Sequence, residues 1–167
     1  PHHSSHKETH IMRILTIFSL ASFLLIAGLT SASQSALAAD GMVVKQNQHS
    51  VGKILDRLTK IPKKKGITVF AQVDHKAGGK KVGKKLGATQ VLIFGNPKMG
   101  TPLMQSARTI GIDLPMKALA WKDADGKVSI AYNDPAYLAL RRNIKDKHKI
   151  FKKMSDALKK LTSKAAN

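Results

Sequence analysis

Asp74 and His75 are neighbouring residues whose side chains could cooperate in catalysis. A carboxylate beside an imidazole fixes the tautomer of the ring and raises its basicity, as a general base requires. Adjacent residues on a strand point to opposite faces of a sheet, however, so the two side chains need not touch. His75 could equally cap a following helix or donate to a backbone carbonyl. The catalytic and the structural interpretation therefore both stay open.

Three further polar residues are expected where strands end. Asn96 and Asp113 stand close before prolines, and such side chains commonly bond nearby backbone amides in turns. Tyr132 could line a groove or pack in the core. If the strands that precede His75 and Asn96 run parallel, both residues lie on one rim of the sheet, where a small ligand could bind. The candidate ligand-binding residues are Asp74, His75, Asn96, Asp113 and Tyr132, and none is assigned as catalytic.

Several kinds of active site lack the residues that they need. The sequence has no cysteine, which excludes thiolate nucleophiles, thiolate metal sites and disulfides. After the first eleven residues the histidines are His49, His75 and His148, and their wide spacing predicts neither a metal site nor a cofactor. Residues 78–85 approach a phosphate-binding loop, but Lys85 stands where Ser or Thr would hold magnesium. We favour a non-enzymatic protein and leave an enzyme open.

The N-terminal part of the chain has the pattern of an export signal. Residues 12–39 combine a basic start, an apolar run over residues 14–29 and an Ala-x-Ala ending. We expect cleavage there and a periplasmic or secreted product. The alternative is an inner-membrane anchor through uncleaved residues 14–29, since that run is about long enough to span a bilayer. Residues 1–11 precede this pattern and are treated as an extension outside the fold.

The strong positive charge limits the choice of partners. The formal net charge is +19 at pH 7, and loss of the signal peptide and the extension would lower it only to about +18. Such a surface attracts polyanions. In an exported protein these would be anionic lipids or envelope polymers. Solubility alone is an equally simple explanation of the charge.

The last segment, residues 143–167, predicts a basic amphipathic helix from about Ile144 to Leu161. Basic amphipathic helices bind anionic membranes, and each lysine near the surface contributes about 1 kcal/mol. The lysines expected to contact an anionic surface are Lys145, Lys149, Lys152, Lys153, Lys159 and Lys160. The alternative is that the apolar stripe packs on the sheet and the lysines are solvated. Few aromatic residues accompany these lysines, so we expect no specific nucleic-acid binding.

The central part of the chain, residues 40–142, predicts one α+β domain. Helices on one face of a mainly antiparallel sheet would bury its apolar stripes. Asp125-Gly126 indicates the tip of a hairpin. Thr101-Pro102 indicates the start of a helix that Gly111 closes. The other predicted elements are strands at 42–44, 67–73 and 91–94 and helices at 51–61 and 134–140. Alternation in the second of these strands predicts that Ile67, Val69, Ala71 and Val73 share one face. Residues 76–87 carry only a weak signal, because their glycines oppose a helix.

Several short motifs in this part resemble one bacterial family, the domain-of-unknown-function 302 family. They are Asp74-His75, Phe94-Gly95-Asn96-Pro97, Gly100-Thr101-Pro102-Leu103-Met104, Asp113-Leu114-Pro115 and Tyr132-Asn133-Asp134-Pro135. The resemblance covers residues 41–141 and implies a TATA-binding-protein-like or helix-grip fold, in which a curved sheet clasps a helix. It implies no assigned activity. This chain has Leu86-Gly87-Ala88-Thr89 where the family usually has Leu-Arg-Pro-Thr, so the resemblance supports no anion contact there.

The sequence thus predicts an exported binding module for anionic or small-molecule ligands. An enzyme or small-ligand carrier that uses a polar rim around His75 and Asn96 is the alternative. A homodimer that pairs through sheet edges is a further open possibility.

Overall fold

The computed structural model of the chain describes residues 41–60 and 66–166. They belong to one compact unit, residues 37–167. The predicted extension at residues 1–11, the signal peptide and the alternative membrane anchor lie outside the described residues. None of the helices described has the length and hydrophobicity needed to cross a membrane.

The domain is built on a five-stranded sheet in the order β1-β5-β4-β3-β2, with every neighbouring pair antiparallel. The strands are β1 (Met42–Asn47), β2 (Thr68–Asp74), β3 (Thr89–Gly95), β4 (Met116–Lys122) and β5 (Val128–Asn133). The β4–β5 hairpin confirms the prediction from Asp125-Gly126. Gly126 has a φ of +84°, a conformation that glycine adopts without steric cost.

In the described part of the chain, three α-helices and one 3₁₀ turn connect the strands, and two further α-helices follow β5. The helices are α1 (Val51–Lys60), α2 (His75–Lys81), α3 (Pro97–Ser106), α4 (Pro135–Arg141) and α5 (His148–Ala166), and the 3₁₀ turn spans Arg108–Ile112. α5 begins and ends later than the helix predicted from residue 144 to residue 161. The weak signal at residues 76–87 corresponds to α2 and the turn after it.

One face of the sheet, which we call the inner face, carries the core. Leu92, Phe94, Ala118, Ile130 and Tyr132 project from it into one buried cluster that the helices complete. The helical contributions are Val51, Ile54, Leu55 and Leu58 of α1, Leu103 of α3, Leu138 of α4, and Phe151, Met154, Leu158, Leu161 and Ala165 of α5. This arrangement confirms the prediction of an α+β fold with helices on one face.

The start of α3 differs from the prediction. The helix begins at Pro97 rather than at Thr101-Pro102. Asn96 supplies a side-chain cap and Pro97 a fixed φ. This is the same combination of capping residue and proline as Thr101-Pro102, but it occurs earlier in the chain. Pro102 then lies inside the helix, where it removes one backbone hydrogen bond. Gly111 belongs to the 3₁₀ turn and does not close α3.

The alternation predicted for β2 is interrupted. Val69 pairs with Phe94 but Ala71 pairs with Ile93, so a bulge at Phe70 shifts the register. Ala71 and Val73 consequently lie on the opposite face from Val69. The prediction that these three residues share one face was wrong, because one extra residue in a strand reverses the faces of all that follow.

Candidate functional site

An open cavity of about 280 Å³ lies between the end of β3, α3 and α5. We call it the apolar cavity. Among the described residues that line it, the polar side chains are those of Asn96 and Thr101. The apolar lining includes Phe70, Phe94, Leu114, Pro115, Met116 and Leu158. Small-molecule sites are typically concave and mostly apolar with a few placed polar groups, and this cavity has that composition.

The junction of β3 and α3 places Asn96 in the cavity wall. The Oδ1 atom of Asn96 accepts a hydrogen bond from the backbone N–H of Lys98 at 2.9 Å. A Cβ atom at Gly95 would stand 3.2 Å from the Cβ of Pro115, so glycine permits the close approach of β3 to the residue before β4. The Leu114–Pro115 peptide bond is cis. The close approach at Gly95 therefore contributes to the wall together with apolar packing.

Methionines are concentrated in this lining. Four of the six methionines in the chain line the cavity, namely Met99, Met104, Met116 and Met154. Met116 and Met154 are buried, whereas Met104 is 36% exposed. A thioether side chain is flexible and polarizable and fits apolar groups of different shapes. The lining can therefore adapt to more than one apolar ligand.

Lysines flank the cavity on the side of α5. Ala157 lines the cavity, and Lys153 and Lys160 stand four residues before it and three residues after it. Residues at these spacings are neighbours on a helix surface. Both lysines are exposed. Both lysine side chains therefore leave α5 next to a residue of the cavity lining, while the interior of the cavity is apolar.

The predicted rim around His75 and Asn96 does not form. β2 and β3 are antiparallel, and Asp74 pairs with Gln90 whereas Thr68 pairs with Gly95. His75 follows the end of β2 and Asn96 follows the end of β3. The two residues therefore lie at opposite ends of the strand pair. The expectation of a shared rim was wrong because it required parallel strands.

Asp74 caps α2 and does not orient His75. Its Oδ1 atom accepts a hydrogen bond from the N–H of Ala77 at 3.0 Å, and its Oδ2 atom accepts one from Gln90 Nε2 at 3.3 Å. His75 is the exposed first residue of α2. The carboxylate is therefore engaged by two structural donors.

Asp113 holds the chain after α3 against the end of α4. Its carboxylate, with the side chain only 8% exposed, accepts a hydrogen bond from Arg142 Nε at 2.6 Å and lies 3.7 Å from Arg141 Nη1. The hydrogen bond to Asp113 raises the pKa of the Arg142 guanidinium. The geometry gives Asp113 a structural ion-pair role, and its side chain is not part of the cavity lining.

Tyr132 lies in a buried polar contact between the sheet and α5. Burial raises the pKa of its hydroxyl, and the nearby Asp134 acts in the same direction. The neighbouring Thr162 side chain acts in the opposite direction on the pKa of Tyr132. The Oγ1 atom of Thr162 accepts a hydrogen bond from Lys45 Nζ at 2.9 Å. Burial lowers the pKa of Lys45, with a further contribution from Lys159. This contact anchors β1 to α5.

The lysines of α5 are separated from its apolar stripe. The stripe is packed into the core, so it is not free to enter a membrane. The lysines predicted to contact an anionic surface are exposed. Lys152 forms an ion pair with Asp156 at 2.9 Å, and this hydrogen bond lowers the pKa of the Asp156 carboxyl. Contact of the remaining lysines with an anionic surface stays a prediction.

A sequence model of one family, described as "Domain of unknown function DUF302", matches residues 42–162. The chain belongs to this family. The match continues through most of α5, which we predicted to lie beyond the common core. The crystal structure of an uncharacterized conserved DUF302 protein from Bacillus stearothermophilus superimposes with a TM-score of 0.68 at 17% identity, and covers 76% of this chain and 99% of that one. This likeness supports the fold.

Curated relatives of this DUF302 chain carry the name of an ion channel. "Fluoride-specific ion channel FluC 1" of Brucella suis is 49% identical over 104 residues, which is 62% of this chain and 41% of that protein. "Fluoride-specific ion channel FluC 2" of Brucella melitensis is also 49% identical over 104 residues and is covered over 38% of its length. The chain therefore spans about two fifths of the curated relatives that it matches.

Sequence reasoning identified one residue of the apolar cavity, Asn96, and missed the rest of the DUF302 cavity. The missed residues are apolar and are typical of a core when they are considered singly. The sequence offered one signal for the cavity, the two methionines Met99 and Met104 on one short helix. The cavity also needs residues of β2 and α5. These elements are far apart in sequence and meet α3 only in the folded chain.

Replacement of Asn96 tests its role as the cap of α3. We expect Asn96→Ala to lower the free energy of unfolding of this DUF302 domain by about 1 kcal/mol, because the Lys98 N–H loses its acceptor. Asn96→Asp keeps an acceptor oxygen and should stay within about 0.5 kcal/mol of the parent. Urea unfolding measures both. Equal losses in the two variants would refute the capping role.

Proposed function

We propose that this DUF302 domain is an exported, non-enzymatic binding module that holds small anionic amphiphiles. The apolar cavity is the single observation that carries the proposal. Its lining would bury a short hydrocarbon chain, and such burial stabilises binding by about 0.8 kcal/mol per methylene. The export pattern of residues 12–39 supports a site of action outside the cytosol.

The size of the cavity limits the ligand. Its volume is about 280 Å³, and one water-sized group occupies roughly 30 Å³ of liquid. About nine non-hydrogen atoms therefore fit, as in a chain of seven to eight carbons with a small polar head. Larger molecules would leave part of their length outside.

The charges around the opening favour an acidic head group. Lys153 and Lys160 stand beside Ala157, and the amide of Asn96 belongs to the wall of the same cavity. An ammonium group attracts a carboxylate, and the attraction is strengthened where one side of the pair faces an apolar surface. The large net positive charge of the chain would also accelerate the approach of an anion.

The carboxylates of the two aspartates among the candidate site residues are held in structural contacts. Asp74 caps α2, and Asp113 pairs with Arg142. A general base must reach a proton on its substrate, and neither group lines the apolar cavity. These contacts support binding over acid–base catalysis as the proposed role.

Titration with three eight-carbon probes tests this function. The protein is purified from cells that express the full chain, and mass spectrometry defines its N terminus. Isothermal titration should show that octanoate binds more tightly than 1-octanol and that octylamine binds most weakly. Ala157→Trp fills the opening and should weaken octanoate binding at least about tenfold, or 1.4 kcal/mol. Ala136→Trp, at an exposed position of α4, should bind as the parent does.

Two matched double variants test the head-group contact in the same titration. Lys153→Gln with Lys160→Gln should weaken octanoate binding and leave 1-octanol binding unchanged. Lys152→Gln with Lys159→Gln removes the same charge elsewhere on α5 and should have little effect on either probe. Absence of octanoate binding by the parent at millimolar concentration would refute the proposed function, as would equal binding by the two tryptophan variants.

The FluC relatives favour a second candidate, a role beside fluoride transport. The observation behind it is the 49% identity over 104 residues to proteins of that name. Sodium fluoride, titrated in parallel with octanoate, distinguishes the two functions. Saturable fluoride binding without octanoate binding would favour the second candidate.

A further inference from the structure

The face of the sheet opposite the core, which we call the outer face, carries an uninterrupted apolar row. Val44 of β1 pairs with Ala131 of β5, Ala131 pairs with Leu119 of β4, Leu119 pairs with Val91 of β3, and Val91 pairs with Val73 of β2. The row therefore crosses all five strands. Residues directly opposite one another across neighbouring strands share a face.

The main core cluster does not use this row. The buried cluster and the apolar residues packed against it include no member of the row. Ala131, in the middle of the row, is nevertheless only 1% exposed. Val73 is 40% exposed, and Val44, Val91 and Leu119 are half-buried. Ile93 and Trp121, also half-buried, extend the apolar surface on either side of the row. An exposed apolar patch of this extent is typical of an interaction site.

The outer face is also poor in charge, although the chain has 29 lysines and arginines. Among the described strand residues that alternate onto this face, the charged side chain is that of Lys117. Its ammonium group bends back to the carbonyl oxygens of Asp113 at 3.3 Å and Pro115 at 3.1 Å. The middle of the face is therefore free of ammonium groups from these strands.

We propose that the outer face binds the outer face of a second copy, so that two sheets stack with their helices outward. A second copy fits because two strongly basic molecules can approach through their least charged sides without opposing lysines. The contact would be isologous, with the same residues on both sides. Stacked antiparallel sheets interdigitate their side chains at a spacing of about 10 Å.

The dimensions of the sheet predict a weak dimer. Five strands at about 4.8 Å spacing and roughly six residues at about 3.3 Å rise give a footprint of about 480 Å² per copy. Two copies then bury about 1,000 Å², which is close to the lower limit for a specific interface. The dimer should form at micromolar or higher concentrations. Added salt should strengthen it, because salt screens the repulsion between the two basic copies.

Sedimentation equilibrium with one matched pair of variants tests the proposal. The protein purified from cells that express the full chain should pass from monomer to dimer mass between about 10 and 500 μM, a range suited to a weak interface. Leu119→Lys places a charge in the centre of the row and should weaken association at least tenfold. Leu140→Lys makes the same substitution at a position of α4 that is 80% exposed, and it should associate as the parent does.

A second outer-face variant helps to distinguish loss of the interface from loss of the fold. Val91→Lys should also weaken association, and circular dichroism establishes that both variants keep the native fold. A parent protein that stays monomeric throughout the concentration range overturns the proposal. Dimerisation of a folded Leu119→Lys variant with the affinity of the parent also overturns it, because the contact must then lie on another surface.

Discussion

Replacing Leu103 with alanine is expected to lower the free energy of unfolding by about 2–5 kcal/mol. The Leu103 side chain is fully buried and belongs to the main core. Truncation removes its apolar burial and leaves a space that the surrounding side chains fill only in part. At about 4 °C per kcal/mol for a domain of this size, the melting temperature should fall by about 8–20 °C.

The effect should be large because α3 depends on this one anchor. Leu103 is the buried residue of α3, whereas Gly100 and Pro102 lower the intrinsic stability of the helix. Met99, Thr101 and Met104 of the same helix line the apolar cavity. Leu103→Ala should therefore weaken octanoate binding as well, although Leu103 does not line the cavity.

Leu140→Ala is the matched control for this prediction. Leu140 is 80% exposed, and its truncation should change stability by less than about 0.5 kcal/mol. Thermal and urea unfolding followed by circular dichroism measure both variants. Similar losses from Leu103→Ala and Leu140→Ala would contradict the placement of Leu103 in the core.

The elements that sequence reasoning identified correctly are those with local signals. The β4–β5 hairpin follows from Asp125-Gly126, because glycine adopts the positive φ that the turn requires. α1 follows from the spacing of Val51, Ile54, Leu55 and Leu58 on one helical face. Each signal lies within about ten residues and needs no knowledge of distant partners.

The direction of β2 relative to β3 has no such local signal. A connection that includes a helix commonly joins parallel strands, but α2 is short and the strands on either side of it are antiparallel. The same limitation applies to Asp113 and Tyr132. The partner of Asp113 is Arg142, 29 positions away, and that of Tyr132 is Thr162 on α5. A polar side chain beside a strand end indicates that it needs a partner but does not identify that partner.

The choice between two similar helix starts also depended on packing. Asn96-Pro97 and Thr101-Pro102 both combine a capping side chain with a proline. The earlier start gives α3 enough length to bring Leu103 into the core while Met99 and Met104 reach the cavity. The gain from burying Leu103 offsets the hydrogen bond lost at Pro102, so tertiary structure decided between two equal local signals.

Replacing Gly41 with alanine is expected to be the other strongly destabilising change. Gly41 has a φ of +73°, which costs an L side chain about 1–2 kcal/mol. A Cβ atom at this position would overlap the Cγ and Cδ1 atoms of Tyr137. Moving the ring away should cost about 1–3 kcal/mol more, as for other overpacked sites. Urea unfolding of the purified protein measures the sum.

A double-mutant cycle separates the two causes. In a Tyr137→Ala background the overlap is absent, so Gly41→Ala should lose only the backbone cost of about 1–2 kcal/mol. An equal loss of stability in both backgrounds would show that the Tyr137 ring moves aside without cost.

The Gly41 carbonyl accepts a hydrogen bond from the N–H of Asp134 at 2.8 Å, and Asp134 caps α4. A strained Gly41 would therefore loosen the start of β1 and the first turn of α4 together. Because α4 packs on α5, which forms one wall of the apolar cavity, octanoate affinity should fall with stability in the single variant and recover in part when Tyr137 is also replaced.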